Sequence, residues 1–286
     1  MSVRALVRRP VSYLPAHVQV VGDLLGSEDS LASAFEGADV VVHLAGANEA
    51  AAAREPERTL AETILAAHRV GQYSKRAGIR RVVVVSTVHV YGRAMIEGAE
   101  LTESTAPAPA SLYAVARLTS EHILQAVAGS DAETVVCRLT NGVGAPVAPS
   151  IDRWTLVAND LCRQAALIGR IELRTHGCQW RDFVALGDVC QVLAAATGRR
   201  VSPGTYNLGL GQPMTVRSLA GLVQDAFEVI TGCRPLLLAP DPPSQMPRPY
   251  RVVVDRLEAL GLAPTTTVKS AVEETACFCV ENREYL

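Results

Sequence analysis

The stretch that decides the fold of this chain is RVVVVSTVHVYG, residues 81–92. It opens with a run of valines, which is typical of a strand buried on both faces of a parallel sheet. Thr87 follows this run, so we expect its hydroxyl at the carboxyl end of the strand. A second stretch, SLYAVAR at residues 111–117, opens an amphipathic helix that carries Tyr113 one turn before Arg117. A hydroxyl at a strand end and a tyrosine beside a cation indicate a site that moves a proton to or from an alcohol.

Outside these two stretches, short β-branched runs alternate with helical patterns, which predicts βαβ units and a parallel sheet. The predicted strands are residues 3–7, 18–21, 39–44, 81–86, 134–139 and 205–209. The predicted helices are residues 27–36, 56–76, 112–128, 188–196 and 268–285. After residue 144 the alternation weakens, so we expect the chain to leave the sheet there.

The composition limits the classes of function. A formal net charge of -2 over 286 residues offers no basic excess for binding nucleic acid. The apolar runs are far too short to span a bilayer and no charged-then-apolar leader is recognisable, so we expect a cytoplasmic protein without a membrane partner. The seven cysteines form no C-x-x-C pair, which favours reduced, buried thiols over a metal site.

The spacing of Tyr113 and Arg117 bears on proton transfer. A free tyrosine has a pKa of about 10 and is a poor base at neutral pH. A cation four residues later lies on the same helix face and favours the phenolate. The alternative interpretation is an exposed Tyr113–Arg117 pair, with Thr87 merely ending a strand. The combination of both stretches favours the catalytic interpretation.

The two stretches resemble the V-V-V-S-T-x-x-V-Y-G and Y-x-x-x-K signatures of the extended short-chain dehydrogenase/reductases, the family of sugar-nucleotide epimerases and dehydratases. The resemblance implies an α/β fold: a Rossmann-like, doubly wound parallel sheet with a smaller, partly interleaved C-terminal substrate domain. The implied nucleotide-binding core is residues 1–144, to which residues 180–210 return. The implied substrate-binding domain comprises residues 145–179 and 211–286.

The same resemblance implies an NAD(P)-dependent epimerase or carbonyl/alcohol oxidoreductase that acts on a nucleotide-linked sugar. Tyr113 is then the acid/base, Thr87 orients the reacting hydroxyl, and Arg117 stands where the family has Lys. Arginine keeps the charge but effectively never gives up its proton. We therefore expect the electrostatic role to survive and the proton relay through this side chain to be lost.

The two residues that follow Thr87, Val88 and His89, bear on the type of reaction. The 4,6-dehydratase branch of the family has Asp-Glu at the positions of Val88 and His89, so dehydration is disfavoured here. His89 is either a substitute acid/base, since histidine titrates near neutral pH, or a structural residue at the rim of the site.

The resemblance to the family's cofactor-binding segments starts at the family's second strand. Residues there are expected to bind NADP or NAD, with arginines at the strand end favouring the 2′-phosphate of NADP. The implied cofactor contacts are Arg8, Arg9, Asp23, Leu24, Ala45 and Gly46, together with Tyr113 and Arg117.

No first strand and no glycine-rich turn precede Val3 in this sequence, so a gap is expected between the family's second and fourth strands. We expect cofactor binding by the polypeptide as written to be weakened. Three explanations are open: a start recorded too late or a trimmed chain, which we favour, a sheet that closes by pairing those two strands, or a strand from another chain.

Two segments resemble those with which the family holds a nucleotide sugar: R-x-x-N-x-V-G at residues 138–144 and W-R-D-F-V at residues 180–184. The resemblance implies that Asn141 and Thr87 bind the substrate. It also implies that Arg181 binds the diphosphate, for which the donors of its planar guanidinium are suited. By analogy with the family, residues 56–76 and 112–128 are expected to form a homodimer interface. The alternative from another class is a catalytically silent relative that binds or scaffolds.

Overall fold

The structure, a computed structural model, describes residues 2–127, 132–151 and 153–286. The chain divides into two compact units. The first comprises Met1–Arg93, Ala106–Arg138 and Leu193–Tyr206. The second comprises Ala94–Thr105, Leu139–Val192 and Asn207–Leu286.

Strands and short sheets are spread over both units. In chain order the strands are β1 Ala5–Val7, β2 Gln19–Val21, β3 Val40–His43, β4 Arg81–Thr87, β5 Glu100–Leu101, β6 Glu133–Leu139, β7 Asn141–Val143, β8 Arg170–Glu172, β9 Trp180–Ala185, β10 Gly204–Leu208, β11 Pro213–Thr215, β12 Leu236–Leu238 and β13 Arg251–Val252. The helices are α1 Glu28–Phe35, α2 Glu49–Arg54, α3 Pro56–Leu60, α4 Ala66–Arg76, α5 Leu112–Val127, α6 Val157–Ile168, α7 Leu186–Ala196, α8 Val216–Thr231, α9 Asp255–Ala259 and α10 Val268–Glu281.

The first unit is built on a four-stranded sheet with the order β10-β6-β4-β3. β3 and β4 pair in parallel, and six of the seven residues of β4 are buried, as the valine run predicts. The helices α4 and α5 contact each other, and α5 contacts β4. Their apolar side chains meet those of the sheet in one core cluster, which includes Val70, Val82, Val84, Leu124 and Val136. The predicted Rossmann-like α/β fold is confirmed.

The strands β1 and β2 form a separate parallel sheet of their own. Within the described ranges, neither of them is hydrogen-bonded to β3, so the explanation in which the sheet closes by pairing the second and fourth family strands is wrong. The interruption falls where the sequence predicts a gap. Apolar side chains of β2, of β3 and just after β3 are unusually exposed for an α/β sheet: Val21 is 53% exposed, Val42 38% and Leu44 60%.

The helix predicted over residues 56–76 is interrupted. A π-helical segment, Ala61–Leu65, separates α3 from α4. Such single-turn bulges insert extra backbone into an α-helix and frequently occur at functional sites. The helix predicted over residues 112–128 is described as far as Val127, and Ala128 lies outside the described residues.

The second unit has a three-stranded sheet with the order β11-β9-β7, in which β9 runs parallel to β7 and antiparallel to β11. The helices α6, α8 and α10 contact one another and bury a core that includes Phe183. Residues 180–192, expected with the nucleotide-binding core, lie in this unit because β9 pairs with β7 and β11. The unit is also as long as the first rather than smaller. The functional assignment of the two units stays a prediction.

In the part of the chain that the structure describes, no helix has the length and apolarity needed to cross a membrane. All seven cysteines are free, and Cys190, Cys233 and Cys277 are exposed instead of buried as the composition suggested.

Candidate active site

Thr87 is the last residue of β4 and is buried. Its Oγ1 accepts a hydrogen bond from the backbone N–H of His89 at 3.2 Å, which fixes the turn after the strand. A 3₁₀ segment, Val88–Ala94, follows. Gly92 in this segment has a φ of +42°, and a Cβ there would lie 2.2 Å from the Ala108 carbonyl oxygen. Only glycine fits this close approach, which explains the glycine of V-Y-G.

Tyr113 lies in the first turn of α5, whose N-terminus is capped by Ser111. The Ser111 hydroxyl accepts a hydrogen bond from the backbone N–H of Ala114 at 3.3 Å. One turn later, Cζ of Arg117 lies 5.6 Å from the centroid of the Tyr113 ring, a cation–π contact. The predicted pairing of these two side chains is therefore present in the structure, and both are half-buried.

Arg117 is also bound to the loop after β3. Its Nη1 donates to the Ala45 carbonyl at 3.0 Å, and its Nη2 donates to the Ala47 carbonyl at 3.5 Å. A Cβ on Gly46, whose φ is +140°, would lie 2.9 Å from Cζ of Arg117. The guanidinium thus lies directly against the backbone of Gly46. The structure brings together four predicted site residues: Ala45, Gly46, Tyr113 and Arg117.

The Ala45–Ala47 loop is held by residues that the sequence did not single out. Thr63, in the π-helical segment, accepts a hydrogen bond from the backbone N–H of Ala47 at 3.1 Å. The Ser120 hydroxyl on α5 donates to the carbonyl of Thr63 at 3.2 Å. The helical bulge therefore positions a threonine against the loop. A buried threonine within a helical pattern carries no distinctive sequence signal.

His43, at the end of β3, is buried, and its Nε2 has no hydrogen-bond partner among the described residues. Burial and the nearby positive charge of Arg117 lower the pKa of His43 to about 4. This histidine is therefore neutral at physiological pH. The buried Nε of Arg117 also has no partner within the described ranges.

His89 also packs against Tyr113. The ring centroids of the two residues are 6.3 Å apart, and the rings meet edge to face at 67°. Nε2 of His89 lies 3.6 Å from Oε1 of Glu49, at the start of α2. The side chain of His89 is 31% exposed. Through His89, the site thus connects Thr87, Tyr113 and Glu49.

A buried ion pair is hydrogen-bonded to Ser86, the residue before Thr87. Nη2 of Arg138 donates to Oε2 of Glu121 at 2.8 Å, and the two side chains are 7% and 3% exposed. The Ser86 hydroxyl donates to Glu121, and the guanidinium of Arg138 stacks 5.0 Å from the Tyr91 ring. Because Glu121 lies two turns after Tyr113 on α5, this pair fixes the helix against β4. A glutamate within an apolar helix face was the available sequence signal.

The residues predicted for the adenosine end of the cofactor lie at the two-stranded sheet. Arg8 is exposed and lies 3.5 Å from Glu62, and Arg9 is exposed. Asp23 closes a turn by accepting from the backbone N–H of Leu25 at 2.8 Å. Leu24 packs on the core cluster of the unit. No contact among the described residues joins these four to Tyr113 or Arg117.

Fit to a nicotinamide cofactor differs between the two ends. At the reactive end, a loop of small residues and an unpartnered, buried guanidinium nitrogen of Arg117 fit a ribose with its hydroxyls. At the diphosphate end, the described residues offer no glycine-rich turn opening a helix beside β1. The residues present therefore fit the reactive half of the group.

Asn141 and Arg181 lie in the second unit, on the neighbouring strands β7 and β9. Nδ2 of Asn141 donates to the Asp182 carbonyl at 2.8 Å, and Nη1 of Arg181 donates to the Trp180 carbonyl at 2.8 Å. Burial raises the pKa of Tyr250, and the adjacent Arg181, which hydrogen-bonds it, opposes that shift.

Asp182, next to Arg181, is buried on the other face of β9. Burial raises the pKa of Asp182 to about 6, although the backbone N–H of Leu210 donates to it at 2.9 Å. A Cβ on Gly209 would lie 2.4 Å from Oδ1 of Asp182, so only glycine fits beside this carboxyl. Neither this carboxyl nor Tyr250 was predicted from the sequence as a site residue.

The buried parallel sheet, whose strand β4 ends at Thr87, and the helix α5 that covers it define an α/β protein of the Rossmann type. The sequence profile described as "NAD dependent epimerase/dehydratase family" matches residues 2–209. The chain belongs to this family of NAD-dependent nucleotide-sugar epimerases and dehydrogenases, and the predicted resemblance is confirmed.

Individual relatives agree with this assignment. The dTDP-6-deoxy-L-talose 4-dehydrogenase (NAD(P)(+)) of Kitasatospora kifunensis is 30% identical over 218 residues, which are 75% of this chain and 67% of that protein. The solved structure of MoeE5 in complex with UDP-glucuronic acid and NAD superposes with a TM-score of 0.77 at 26% identity, covering 98% of this chain and 90% of that one. The UDP-glucose 4-epimerase of Thermotoga maritima, solved with UDP-glucose, has a TM-score of 0.80 at 21% identity, with 93% and 85% covered, and shows the shared fold.

Proposed function

We propose that this protein is an NAD(P)-dependent epimerase or carbonyl/alcohol oxidoreductase that acts on a nucleotide-linked sugar. The observation that carries the proposal is the contact of Arg117 with both the Tyr113 ring and the carbonyls of the Ala45–Ala47 loop. This contact puts a permanent cation between a phenol and a loop of small residues. A phenol in that position can exchange a proton with an alcohol as a general acid or base.

The residues of this chain divide the proton chemistry between them. Thr87 holds the reacting hydroxyl, because its side chain ends the buried strand. Tyr113 takes the proton of that hydroxyl in oxidation and returns it in reduction. Arg117 holds the Tyr113 ring against the Ala45–Ala47 loop and remains protonated throughout. A bound nicotinamide cofactor supplies or accepts the hydride.

The cofactor proposal rests on the relatives as well as on the site. The Kitasatospora relative is named for NAD(P)(+), and MoeE5 was solved with NAD. Arg8 and Arg9 favour the extra phosphate of NADP, as two exposed cations next to β1. With β1 and β2 detached from the main sheet, we propose that the polypeptide of residues 1–286 binds the cofactor weakly.

The substrate proposal is a sugar linked to a nucleoside diphosphate. The Kitasatospora relative acts on a dTDP-linked sugar by its name, and MoeE5 was solved with a UDP-linked one. In this chain Arg181 has a guanidinium suited to diphosphate, and Asn141 has an amide on the adjoining strand. We propose that these two residues hold the substrate.

We further propose a homodimer through the helical face that contains α3, the π-helical segment and α5. Its support is a group of exposed apolar side chains on those elements. Leu60 is 39% exposed, Leu65 is 45% exposed and Val115 is 41% exposed. Light scattering coupled to gel filtration tests this: a dimeric mass supports the interface, and a monomeric mass at micromolar concentration contradicts it.

A second candidate function is a catalytically silent binding protein. The separation of the β1–β2 sheet from β3 and the replacement of lysine by Arg117 favour it. The buried Thr87 and the Tyr113–Arg117 contact oppose it. The two candidates differ in what they expect from Tyr113, because only an enzyme needs the phenol.

The test is a screen of UDP- and dTDP-linked sugars with millimolar NAD or NADP, followed by the absorbance of the reduced nicotinamide and by chromatography of the sugars. The enzyme proposal expects turnover with at least one sugar, and loss of that turnover in Tyr113→Phe. Binding of a nucleotide sugar without turnover at any cofactor concentration would instead support the silent relative.

A further inference from the structure

Arg117 cannot remove a proton from Tyr113. Its guanidinium effectively never deprotonates, and its two Nη atoms are bound to the carbonyls of Ala45 and Ala47. If Tyr113 takes a proton from an alcohol, as the proposed function requires, that proton must leave by a route other than Arg117. An enzyme that catalyses net oxidation has to release one proton per turnover.

His89 is the titratable side chain that meets this need. Its ring meets the Tyr113 ring edge to face, with 6.3 Å between the centroids. Its Nε2 lies 3.6 Å from Oε1 of Glu49, whose side chain is 61% exposed. The backbone N–H of His89 is tied to Thr87 at 3.2 Å, so the ring is anchored to the same strand end that holds the substrate hydroxyl. These contacts place a partly exposed imidazole between the Tyr113 ring and a largely exposed carboxylate.

We propose that His89, assisted by Glu49, carries protons between Tyr113 and solvent, and that this relay equips the site for net oxidation or reduction of its nucleotide-linked sugar. The inference rests on the proposed function of Tyr113. It goes beyond that function because an epimerase returns the same proton to the re-formed alcohol and needs no outlet.

The steps balance in both directions. In oxidation, the O–H and C–H bonds of the carbinol break and a C=O bond forms. The proton passes to the phenolate of Tyr113 and the hydride passes to the nicotinamide, so the sugar is oxidised and the cofactor is reduced. Tyr113 then passes its proton to His89, directly or through one water molecule, and His89 releases it to solvent beside Glu49. Reduction of the ketone runs through the same steps in reverse.

Charged and titratable groups near His89 come from two elements. Oε1 of Glu49, on α2, lies 3.6 Å from Nε2 of His89. Tyr113 and Arg117 belong to α5, where the guanidinium contacts the Tyr113 ring. An imidazole is the side chain whose ordinary pKa lies near neutral pH, so it suits both uptake and release of a proton.

The kinetic test compares His89→Gln with the parent in net oxidation. We expect kcat to fall about 10- to 100-fold at neutral pH, less than the 10²- to 10⁴-fold typical of a lost general acid or base because His89 acts after Tyr113, with KM changed less than about threefold. In His89→Ala, added imidazole restores much of the lost rate, which a purely structural role would not produce. Glu49→Gln loses less rate and shifts the pH profile.

The matched control is His122→Gln, because His122 is an exposed histidine on the same helix as Tyr113. This variant keeps the parental rate and pH profile. Circular dichroism of each variant verifies that the fold is retained. A His89→Gln enzyme with the parental rate at every pH, or one that imidazole leaves unchanged in the alanine variant, overturns the relay.

A second readout needs neither cofactor nor substrate. Nuclear magnetic resonance of tyrosine labelled at Cζ follows Tyr113 while the pH is varied. The relay predicts an inflection of the Tyr113 resonance at the pH where the imidazole of His89 titrates, and the loss of this inflection in His89→Gln but not in His122→Gln. A Tyr113 resonance that ignores the His89 titration contradicts the relay even if the enzyme proves active. Absence of turnover in the parent, with the inflection present, would instead contradict the proposed function.

Discussion

The two ends of the first unit differ in how firmly the fold holds them. At the catalytic end, β4 is buried in a four-stranded sheet, and its last residue Thr87 is tied to His89. At the adenosine end, β1 and β2 form a sheet of three-residue strands with half-buried and exposed side chains. The proposed proton-transfer residues are therefore supported by the core of the unit. The proposed cofactor residues Arg8 and Arg9 are supported by little more than the short β1–β2 pair.

This difference has a chemical consequence. Changes at the catalytic end are expected to alter turnover and stability by orders of magnitude, because they act on buried or mutually bonded groups. Changes at the adenosine end are expected to alter cofactor affinity by small factors, because exposed ion pairs contribute little.

Tyr113→Phe removes the phenol that is proposed to exchange the proton. We expect turnover to fall about 10²- to 10⁴-fold, while cofactor affinity falls much less. Steady-state kinetics and cofactor titration measure the two quantities. The control is Tyr13→Phe, at a tyrosine 39% exposed in the same unit, which should match the parent. A Tyr113→Phe protein with parental turnover would exclude Tyr113 as the acid/base.

Glu121→Gln leaves Arg138 buried without its countercharge. Breaking a buried pair in this way costs about 3–5 kcal/mol, so we expect the free energy of unfolding to drop by that amount in urea denaturation. Asp39→Asn breaks the exposed pair of Asp39 with Arg80, whose side chains are 73% and 65% exposed, and should leave the free energy of unfolding unchanged. Equal effects of the two variants would remove the contrast between core and surface.

His43→Gln tests the burial of a titratable group at the end of β3. Burial and Arg117 lower the pKa of His43 from 6.5 to about 4, so the folded protein favours the neutral ring. The contribution of His43 to stability is therefore present above pH 6.5 and is lost as the pH falls through 4. Linkage gives about 3 kcal/mol for the full loss. Urea denaturation at pH 7 and pH 4 should show this loss in the parent and a smaller one in His43→Gln; identical losses would contradict it.

Arg117→Lys returns a side chain that can give up a proton. We expect turnover to rise about threefold to tenfold, and the cost of His89→Gln to shrink in the double variant, since two proton paths then serve Tyr113. Rates of the parent, both single variants and the double variant form the cycle. Arg117→Met is the matched control without charge and should lose turnover. Additive effects of the two substitutions would argue against a shared proton path.

Arg8→Ala should change cofactor preference only slightly. We expect affinity for NADP to fall about threefold relative to NAD, because an exposed cation beside a phosphate contributes little. Glu62→Gln should act in the opposite direction, since it releases Arg8 from its 3.5 Å ion pair. Titration with both cofactors measures the ratio. A loss of turnover at saturating cofactor in either variant would mean that the two ends are not independent.

The sequence predicted the fold where the hydrophobic pattern was strong. The valine run of β4 and the capped helix α5 were predicted within a residue or two, because burial on both faces and a side-chain cap leave local signals. The helix α8 was missed, although Thr215 caps it by accepting from the N–H of Ser218 and Gly232 ends it with a φ of +74°. Its amphipathic pattern follows a short strand directly, without the turn residues that mark other boundaries.

The residues of the candidate site could be predicted from the sequence, but most of the contacts between them could not. Spacing on a helix predicted that Tyr113 and Arg117 meet, since a fixed geometry relates residues four apart. It could not predict that the guanidinium binds the Ala45 and Ala47 carbonyls, or that Thr63 holds the same loop from a π-helical bulge. Those contacts join segments far apart in the chain and depend on tertiary packing. The roles of Asn141, Arg181 and the adenosine-end residues stay predictions.

The central claim is that Tyr113 exchanges a proton with a sugar alcohol while hydride moves to a nicotinamide. It is tested most directly by a quenched single turnover with oxidised cofactor and a nucleotide-linked sugar deuterated at every ring carbon. Mass spectrometry should find deuterium on the nicotinamide with the parent protein and none with Tyr113→Phe. Deuterium that stays on the sugar in the parent, or that transfers equally well in Tyr113→Phe, would contradict the account.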